Sequence, residues 1–143
     1  MTLTNISPRD LGINLQQRKE EELFKWFLFC LLFGKPIHGK IAINAYQEFL
    51  KNNLTSPEKI LDAGWDNLVE ILDQAHYVRY DFSTATKLLE IFEELLINYE
   101  GKMSNILKTS RSKHDLRRQL EKLKGVGPVT ASIFSKWVDS YKK

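Results

Sequence analysis

The feature that most constrains this 143-residue sequence is an apolar run from Leu23 to Phe33, whose only charged residue is Lys25. The run is too short to span a bilayer, which needs about 20 apolar residues. A helix that is apolar on all sides must instead be buried on all sides. We therefore predict that this segment forms the central helix of a soluble, globular fold.

Apolar residues recur at helical spacing along the rest of the chain, and no segment alternates with the period of two that strands show. Ser7-Pro8 and Ser56-Pro57 are typical helix starts, whereas Gly34 and Gly101 are typical helix ends. The pattern predicts an all-α, orthogonal bundle of seven to nine short helices, with one at about residues 39–51 and two short helices separated at Gly64. Glu20, Glu21 and Glu22 place negative charge at the start of the apolar helix, where the helix dipole favours it. We expect a single domain over residues 1–143, in which residues 1–19 form an N-terminal extension.

The composition argues against several kinds of site. The single cysteine, Cys30, excludes an internal disulfide, a four-cysteine zinc site and an iron–sulfur cluster held by the chain's own thiolates. Three scattered histidines make a histidine metal site an unlikely reading of the sequence. Because residues 1–18 are polar and mixed in charge, they do not resemble a secretory signal. We expect a reduced protein in the cytoplasm that does not enter a membrane.

Charge is distributed unevenly along the chain. Residues 1–101 carry a net charge of −5, and residues 102–143 carry a net charge of +8. A positive field at one end of a small domain attracts polyanions, of which nucleic acid is the commonest. A solvated lysine-rich tail explains the same charge equally well, so charge alone leaves both interpretations open.

The most informative motif is Leu123-Lys-Gly-Val-Gly-Pro-Val-Thr-Ala131, which lies between two predicted helices. Gly125 can end the first helix, Val126 is expected to point into the core, and Pro128 can start the second helix. The free amides at that start would face outward with partial positive charge and could hold a phosphate. The cations that flank the motif are Lys122, Lys124, Lys136, Arg117 and Arg118. The alternative is a helical corner without a ligand.

This motif resembles the helix-hairpin-helix signature of the endonuclease III-like DNA glycosylase superfamily. Residues 24–32 resemble the first core helix of that family, and residues 63–85 resemble its middle section. The resemblance implies a helix-hairpin-helix motif at residues 112–139 and is compatible with a monovalent cation at the hairpin. It implies that DNA backbone is bound around the hairpin residues Gly125, Val126, Gly127, Val129 and Thr130.

The sequence departs from the family where catalysis is concerned. Val129 stands where many members carry a lysine nucleophile, and it has no group that could form a Schiff base. The segment that supplies the essential aspartate is missing. Lys136 as a displaced nucleophile, and Asp81 or Asp139 as a carboxylate, are the weak catalytic candidates. Simpler roles are a phosphate-contacting or solvated lysine for Lys136 and a helix cap for Asp81.

Two further segments could contact DNA. Lys35, His38 and Lys40 lie in the turn after the central helix, where the family places residues that fill gaps in DNA. A plain exposed loop is the alternative reading of this turn. His76, Tyr77, Arg79 and Tyr80 form an aromatic and basic stretch that could stack on a base, although the tyrosines could equally be packing residues.

These observations predict a DNA-binding module that recognises backbone without sequence specificity, in repair or processing. A partner protein would then supply the catalysis. Two alternatives remain open at this stage. One is an active glycosylase or abasic-site lyase with rearranged residues, and the other is a protein-interaction domain that docks a partner through its acidic first two-thirds.

Overall fold

The computed structural model describes residues 6–138, which contain helices and no strand. This confirms the predicted all-α multi-helix bundle. A short 3-10 helix at Pro8–Leu11 precedes seven α-helices. These are α1 (Glu20–Leu32), α2 (Gly39–Lys51), α3 (Pro57–Gln74), α4 (Asp81–Tyr99), α5 (Met103–Thr109), α6 (Lys113–Glu121) and α7 (Pro128–Trp137).

Helix α1 is the central helix, as its apolar run predicted. Its residues from Trp26 to Leu32 are buried almost completely, and α1 contacts α2, α5 and α7. Phe27 makes edge-on ring contacts with Phe92 of α4 and Phe134 of α7, with centroids 5.9 and 5.5 Å apart. Lys25 remains at the helix surface, where Glu21 and Glu22 each lie 3.4 Å from its Nζ atom. One continuous hydrophobic core, which extends from Ile6 to Val138, surrounds this helix.

The first turn of α1 also organises a neighbouring helix. We expected its three glutamates to interact with the dipole of α1 itself. In the structure, the Glu20 carboxylate accepts hydrogen bonds from the amides of Met103 and Ser104 at the start of α5. Because α5 has no side-chain cap of its own, Glu20 satisfies donors that would otherwise lack a partner.

Helix bounds follow the local signals in the sequence. Helix α2 covers the predicted range Gly39–Lys51, and Ser56 caps α3 by accepting a hydrogen bond from the Lys59 amide at 3.2 Å. The sequence predicted two short helices separated at Gly64. They form one helical element with a kink at Gly64, whose φ of 81° and ψ of 165° are not helical.

The end of α1 holds two other segments of the chain. The Leu32 carbonyl accepts a hydrogen bond from the hydroxyl of Tyr77 at 2.5 Å, and the Cys30 carbonyl accepts one from Thr130 Oγ1 at 3.4 Å. Tyr77 is completely buried, so its interpretation as a packing residue is confirmed. These bonds fix the loop before α4 and the first turn of α7 to the same end of the central helix.

The contact between Gly34 and Thr130 allows a test of this arrangement. A Cβ atom added at Gly34 would lie 2.4 Å from Thr130 Oγ1, which is shorter than any normal contact. We expect Gly34→Ala to lower the free energy of unfolding by about 1–3 kcal/mol, because overpacking forces the loop and α7 apart. Urea denaturation of the parent and the variant measures the change.

The matched control is Thr130→Ala, which removes the atom that the new methyl group would meet. In the double variant Gly34→Ala/Thr130→Ala, the alanine at position 34 should cost much less than it does alone. The coupling energy should be about 1 kcal/mol or more. Equal effects of Gly34→Ala in both backgrounds would contradict the contact.

Candidate nucleic-acid interface

The turn between α6 and α7, residues 122–127, is called the hairpin below. Gly125 has a φ of 102°, a conformation that favours glycine, and the amide of Val126 closes the turn by donating to the Leu123 carbonyl at 3.0 Å. Leu123 and Val126 are buried and hold the turn on the core. The predicted burial of Val126 is confirmed. Gly125 has the positive φ expected of it, but the prediction that it ends the first helix is wrong, because α6 ends at Glu121 with Lys122 as its C-cap.

The start of α7 has amides that lack a hydrogen-bond acceptor within the described part of the chain. Gly127 occupies the cap position and offers no side chain, and a Cβ atom added there would meet nothing within 4 Å. Among the described residues, no acceptor is bonded to four amides at this end of the helix. They belong to Gly125, Gly127, Val129 and Thr130. Such amides carry partial positive charge and bind anions.

Another side of the hairpin is attached to α4. The Glu94 carboxylate accepts a hydrogen bond from the Lys124 amide at 3.0 Å, so this amide is already occupied. Glu90 and Glu93 line the depression beside Lys124 together with Glu94. Carboxylates repel phosphate groups. An anion therefore reaches the hairpin from the open side at Gly127 rather than across α4.

The cations that the sequence placed near the hairpin differ in position. Lys122, Lys124 and Arg118 are exposed, and Arg117 is half-buried in α6. Lys136 lies in the last turn of α7, where its Nζ atom is 5.4 Å from the centroid of the Trp137 ring. Seven residues of helix separate Lys136 from Val129 by about 10 Å along the axis. Lys136 therefore belongs to the other end of α7.

Lys87 of α4 is a hairpin neighbour that sequence reasoning missed. Its Cγ atom would lie 3.1 Å from a Cβ atom added at Gly125. Burial lowers the pKa of Lys87, and the charge of Lys35 lowers this pKa further. Lys87 thus lies within electrostatic range of the loop after α1 while it contacts the hairpin. Its one sequence signal is that it is the only Lys or Arg in α4.

The loop after α1 lies beside the start of α7. Gly34 adjoins Thr130, as described above, and the next residue, Lys35, places its Nζ atom 5.4 Å from the Tyr80 ring centroid. The guanidinium carbon of Arg79 lies 5.5 Å from the centroid of the same ring. Two segments that the sequence suggested separately thus come together around Tyr80. We call the surface formed by Lys35, Arg79, Tyr80, Lys87, the hairpin and the first turn of α7 the basic face.

His38 and Lys40, two of the residues that the sequence suggested as DNA contacts, lie at the start of α2. His38 is the N-cap of α2, and its Nδ1 atom accepts a hydrogen bond from the Lys40 amide at 3.1 Å. Lys40 is exposed in the first turn of that helix. Within residues 6–138, no hydrogen bond or ring contact joins either residue to the hairpin. Their predicted contact with DNA stays a prediction.

The two carboxylates that the sequence offered as weak catalytic candidates are Asp81 and Asp139. The prediction that Asp81 caps a helix is wrong, because the N-cap of α4 is Tyr80 and Asp81 is its first helical residue. Asp81 accepts a hydrogen bond from the adjacent Phe82 amide at 2.7 Å. A hydrogen bond with Asp81 raises the pKa of the Asp73 carboxyl. Asp139 lies outside the described residues. The described part of the chain holds no group of three or more His, Cys, Asp or Glu residues that could bind a metal ion.

Cys30 is buried in α1, and burial raises the pKa of its thiol. It therefore packs in the core, as the sequence indicated. None of the helices found between residues 6 and 138 has the length and apolar character needed to cross a bilayer. Comparisons of the chain with known protein families, with curated proteins and with solved structures found no match.

The effect of Lys35 on Lys87 can be measured directly. Replacing Lys35 with methionine removes a like charge, so Lys35→Met should raise the pKa of Lys87 towards its ordinary value. Burial persists in the variant, so this pKa should remain below that value. Side-chain NMR titration of the Lys87 Cε–Hε resonances measures the shift.

Lys40→Met is the matched control, because Lys40 lies in the same region and does not lower the pKa of Lys87. It should leave the titration of Lys87 where it is in the parent chain. Equal shifts in both variants would show that Lys35 has no special proximity to Lys87.

Proposed function

We propose that this chain is a DNA-binding module that holds the sugar–phosphate backbone without reading sequence, and that it acts in DNA repair or processing. The observation that supports this proposal most is the set of unpaired amides at the start of α7, adjacent to the cations of the basic face. The net charge of +8 on residues 102–143 supports it further.

The chemistry of the basic face suits phosphate oxygens better than base edges. Backbone amides at a helix start and the compact ammonium groups of Lys35 and Lys87 bind anionic oxygens without regard to base identity. Discrimination among bases usually requires planar side chains such as Arg, Asn or Gln in a groove. Binding of this kind is driven by release of counterions and therefore weakens steeply as salt rises.

The position of Lys87 adds a second argument for an anionic ligand. A half-buried ammonium group near another cation is unfavourable in the free protein, which is why its pKa is lowered. A phosphate group on the basic face would compensate both charges. Binding would then raise this pKa, and the affinity for DNA should fall as pH rises through the lowered value.

The variant Gly127→Asp should weaken DNA binding without disturbing the fold. The position has a φ of −93° and open space for a side chain, so aspartate fits without strain. As an N-cap, aspartate should stabilise α7 by a few tenths of a kcal/mol. Its carboxylate would occupy the free amides and repel phosphate, so the Kd for duplex DNA of any sequence should rise about tenfold or more.

Gly127→Asn is the matched control, since asparagine caps the helix without a charge. It should weaken DNA binding less than Gly127→Asp does. Fluorescence anisotropy with labelled duplexes of unrelated sequence measures Kd, and thermal unfolding verifies the fold. A Kd that is unchanged in Gly127→Asp, or that does not depend on salt, would contradict the proposal.

The salt dependence of binding identifies the cations that contact phosphate. Neutralising Lys87, or Lys122 and Lys124 together, should lower affinity equally for all sequences and reduce the slope of log K against log salt by about 0.9 for each lost contact. Lys59→Met is the control, because Lys59 is exposed in the first turn of α3 and bonds to Thr55. A slope that changes as much in Lys59→Met would indicate only a general charge effect.

Lys87 also favours one catalytic alternative, an abasic-site lyase. A lysine whose pKa is lowered by burial holds more of its amine unprotonated at neutral pH and is a better nucleophile. The amine nitrogen would bond to the C1′ aldehyde carbon of an abasic sugar, and the aldehyde oxygen would leave as water to give an imine. Val129, in the first turn of α7, has no such group.

Borohydride trapping on abasic duplex DNA decides between binding and this chemistry. A covalent adduct that Lys87→Met abolishes and Lys136→Met retains would establish the lyase, whereas loss of the adduct only in Lys136→Met would assign the nucleophile to the other end of α7. If DNA is bound and no adduct forms, the binding module alone describes the protein.

A further inference from the structure

An exposed aromatic pair lies where α3 and α4 pack together, away from the hairpin. Trp65 of α3 and Phe82 of α4 are 38% and 60% exposed, and their ring centroids are 5.1 Å apart. Val78, four residues before Phe82 along the chain, is 59% exposed. Large apolar side chains grouped at a surface mark interaction sites more often than single ones do.

The aromatic pair is held in place before any partner arrives. The kink at Gly64 redirects the chain immediately before Trp65. The indole Nε1 of Trp65 donates a hydrogen bond to Thr86 Oγ1 at 3.0 Å, so its polar atom is satisfied within the chain. The rings therefore offer apolar contact area with little conformational entropy left to lose on binding.

Exposed carboxylates of α3 lie beside this pair. Asp66 and Asp73 are exposed and lie about 100° and 80° from Trp65 around the helix, and Asp73 shares a hydrogen bond with Asp81 at the start of α4. Residues 57–99, which span both helices, contain nine Asp or Glu residues and three Lys or Arg residues. Among the described residues, the ion pairs lie in α1 and α2, so Asp66 and Asp73 form no ion pair with a cation.

Phe82 and Lys87, the residue of α4 in the basic face, lie on different sides of that helix. Phe82 and Lys87 are five residues apart, which corresponds to about 140° around the helix. The acidic surroundings of Trp65 and Phe82 repel nucleic acid, which is the ligand that the basic face suits. A ligand for the aromatic pair must therefore combine apolar groups with positive charge.

We propose that the α3–α4 face around Trp65 and Phe82 is a docking site for a protein partner that presents a cationic amphipathic helix. Leucine or similar side chains on one face of that helix contact the two rings, and lysine or arginine residues beside them pair with the carboxylates of Asp66 and Asp73. This site is independent of the proposed binding of DNA, and a chain with both surfaces would connect a DNA backbone to a second protein.

Helix α4 offers a matched control. Ile97 is 73% exposed and lines the depression beside Lys124, away from the aromatic pair. Phe82→Ser and Ile97→Ser each remove one exposed apolar side chain from the same helix and leave the net charge unchanged. Both positions are exposed, so neither variant should unfold the protein.

The experiment titrates the isotopically labelled full chain with a designed helical peptide of leucine and lysine, and with its leucine–glutamate counterpart. The cationic peptide should shift the NMR signals of Trp65, Phe82 and Thr86, and the acidic peptide should not. Phe82→Ser should raise the Kd of the cationic peptide about tenfold, and Ile97→Ser should leave it within about twofold. Asp66→Asn combined with Asp73→Asn should weaken binding and reduce its salt dependence.

Three outcomes would overturn the proposal. An affinity for the peptide that is the same in the parent chain, Phe82→Ser and Ile97→Ser would show that the peptide responds only to general negative charge. Sedimentation that reveals a dimer of the parent chain and a monomer of Phe82→Ser would assign the face to a second copy. Binding of single-stranded DNA that Phe82→Ser abolishes would assign it to nucleic acid. Unchanged duplex binding by Phe82→Ser would instead support two separate surfaces.

Discussion

The burial of α1 from Trp26 to Leu32 is the constraint on which the rest of the structure depends, because it determines what happens at the end of that helix. The last four carbonyls of any helix lack intrahelical donors. In α1, the Phe29 and Leu31 carbonyls accept hydrogen bonds from the amides of Phe33 and Gly34, while those of Cys30 and Leu32 accept from the side chains of Thr130 and Tyr77. Satisfying these carbonyls therefore brings α7 and the loop before α4 to one place.

The loop before α4 leads into a helix whose sides differ in chemistry. Helix α4 presents Lys87 on the side of the hairpin and Phe82 on the side of α3. Glu94, two turns after Lys87, holds the hairpin through the Lys124 amide, so the hairpin side of α4 carries a carboxylate as well as Lys87. The two proposed surfaces would thus use different sides of one helix.

The features that the sequence predicted depend on interactions between residues close together in the chain. The features that it missed depend on interactions between residues far apart in the chain. The bounds of α2, the conformation of Gly125 and the burial of Val126 depend on residues nearby in the chain, and all were predicted. The bond from Thr130 to Cys30 joins residues 100 apart, and the bond from Lys124 to Glu94 joins residues 30 apart. No period or cap signal encodes such pairs. The neighbourhood of Lys87 follows only from the packing of α4 on the hairpin.

The position of Lys87 has an energetic consequence that links stability to binding. Because its pKa is lowered in the folded chain, the unfolded chain binds more protons between that value and the ordinary lysine pKa. The contribution of Lys87 to the free energy of unfolding therefore rises with pH across this interval, and below it the charged, half-buried ammonium opposes folding. A ligand that neutralises this charge removes the opposition. The free protein thus retains an unfavourable interaction that an anion relieves, which is the expected condition of a binding surface rather than of a purely structural one.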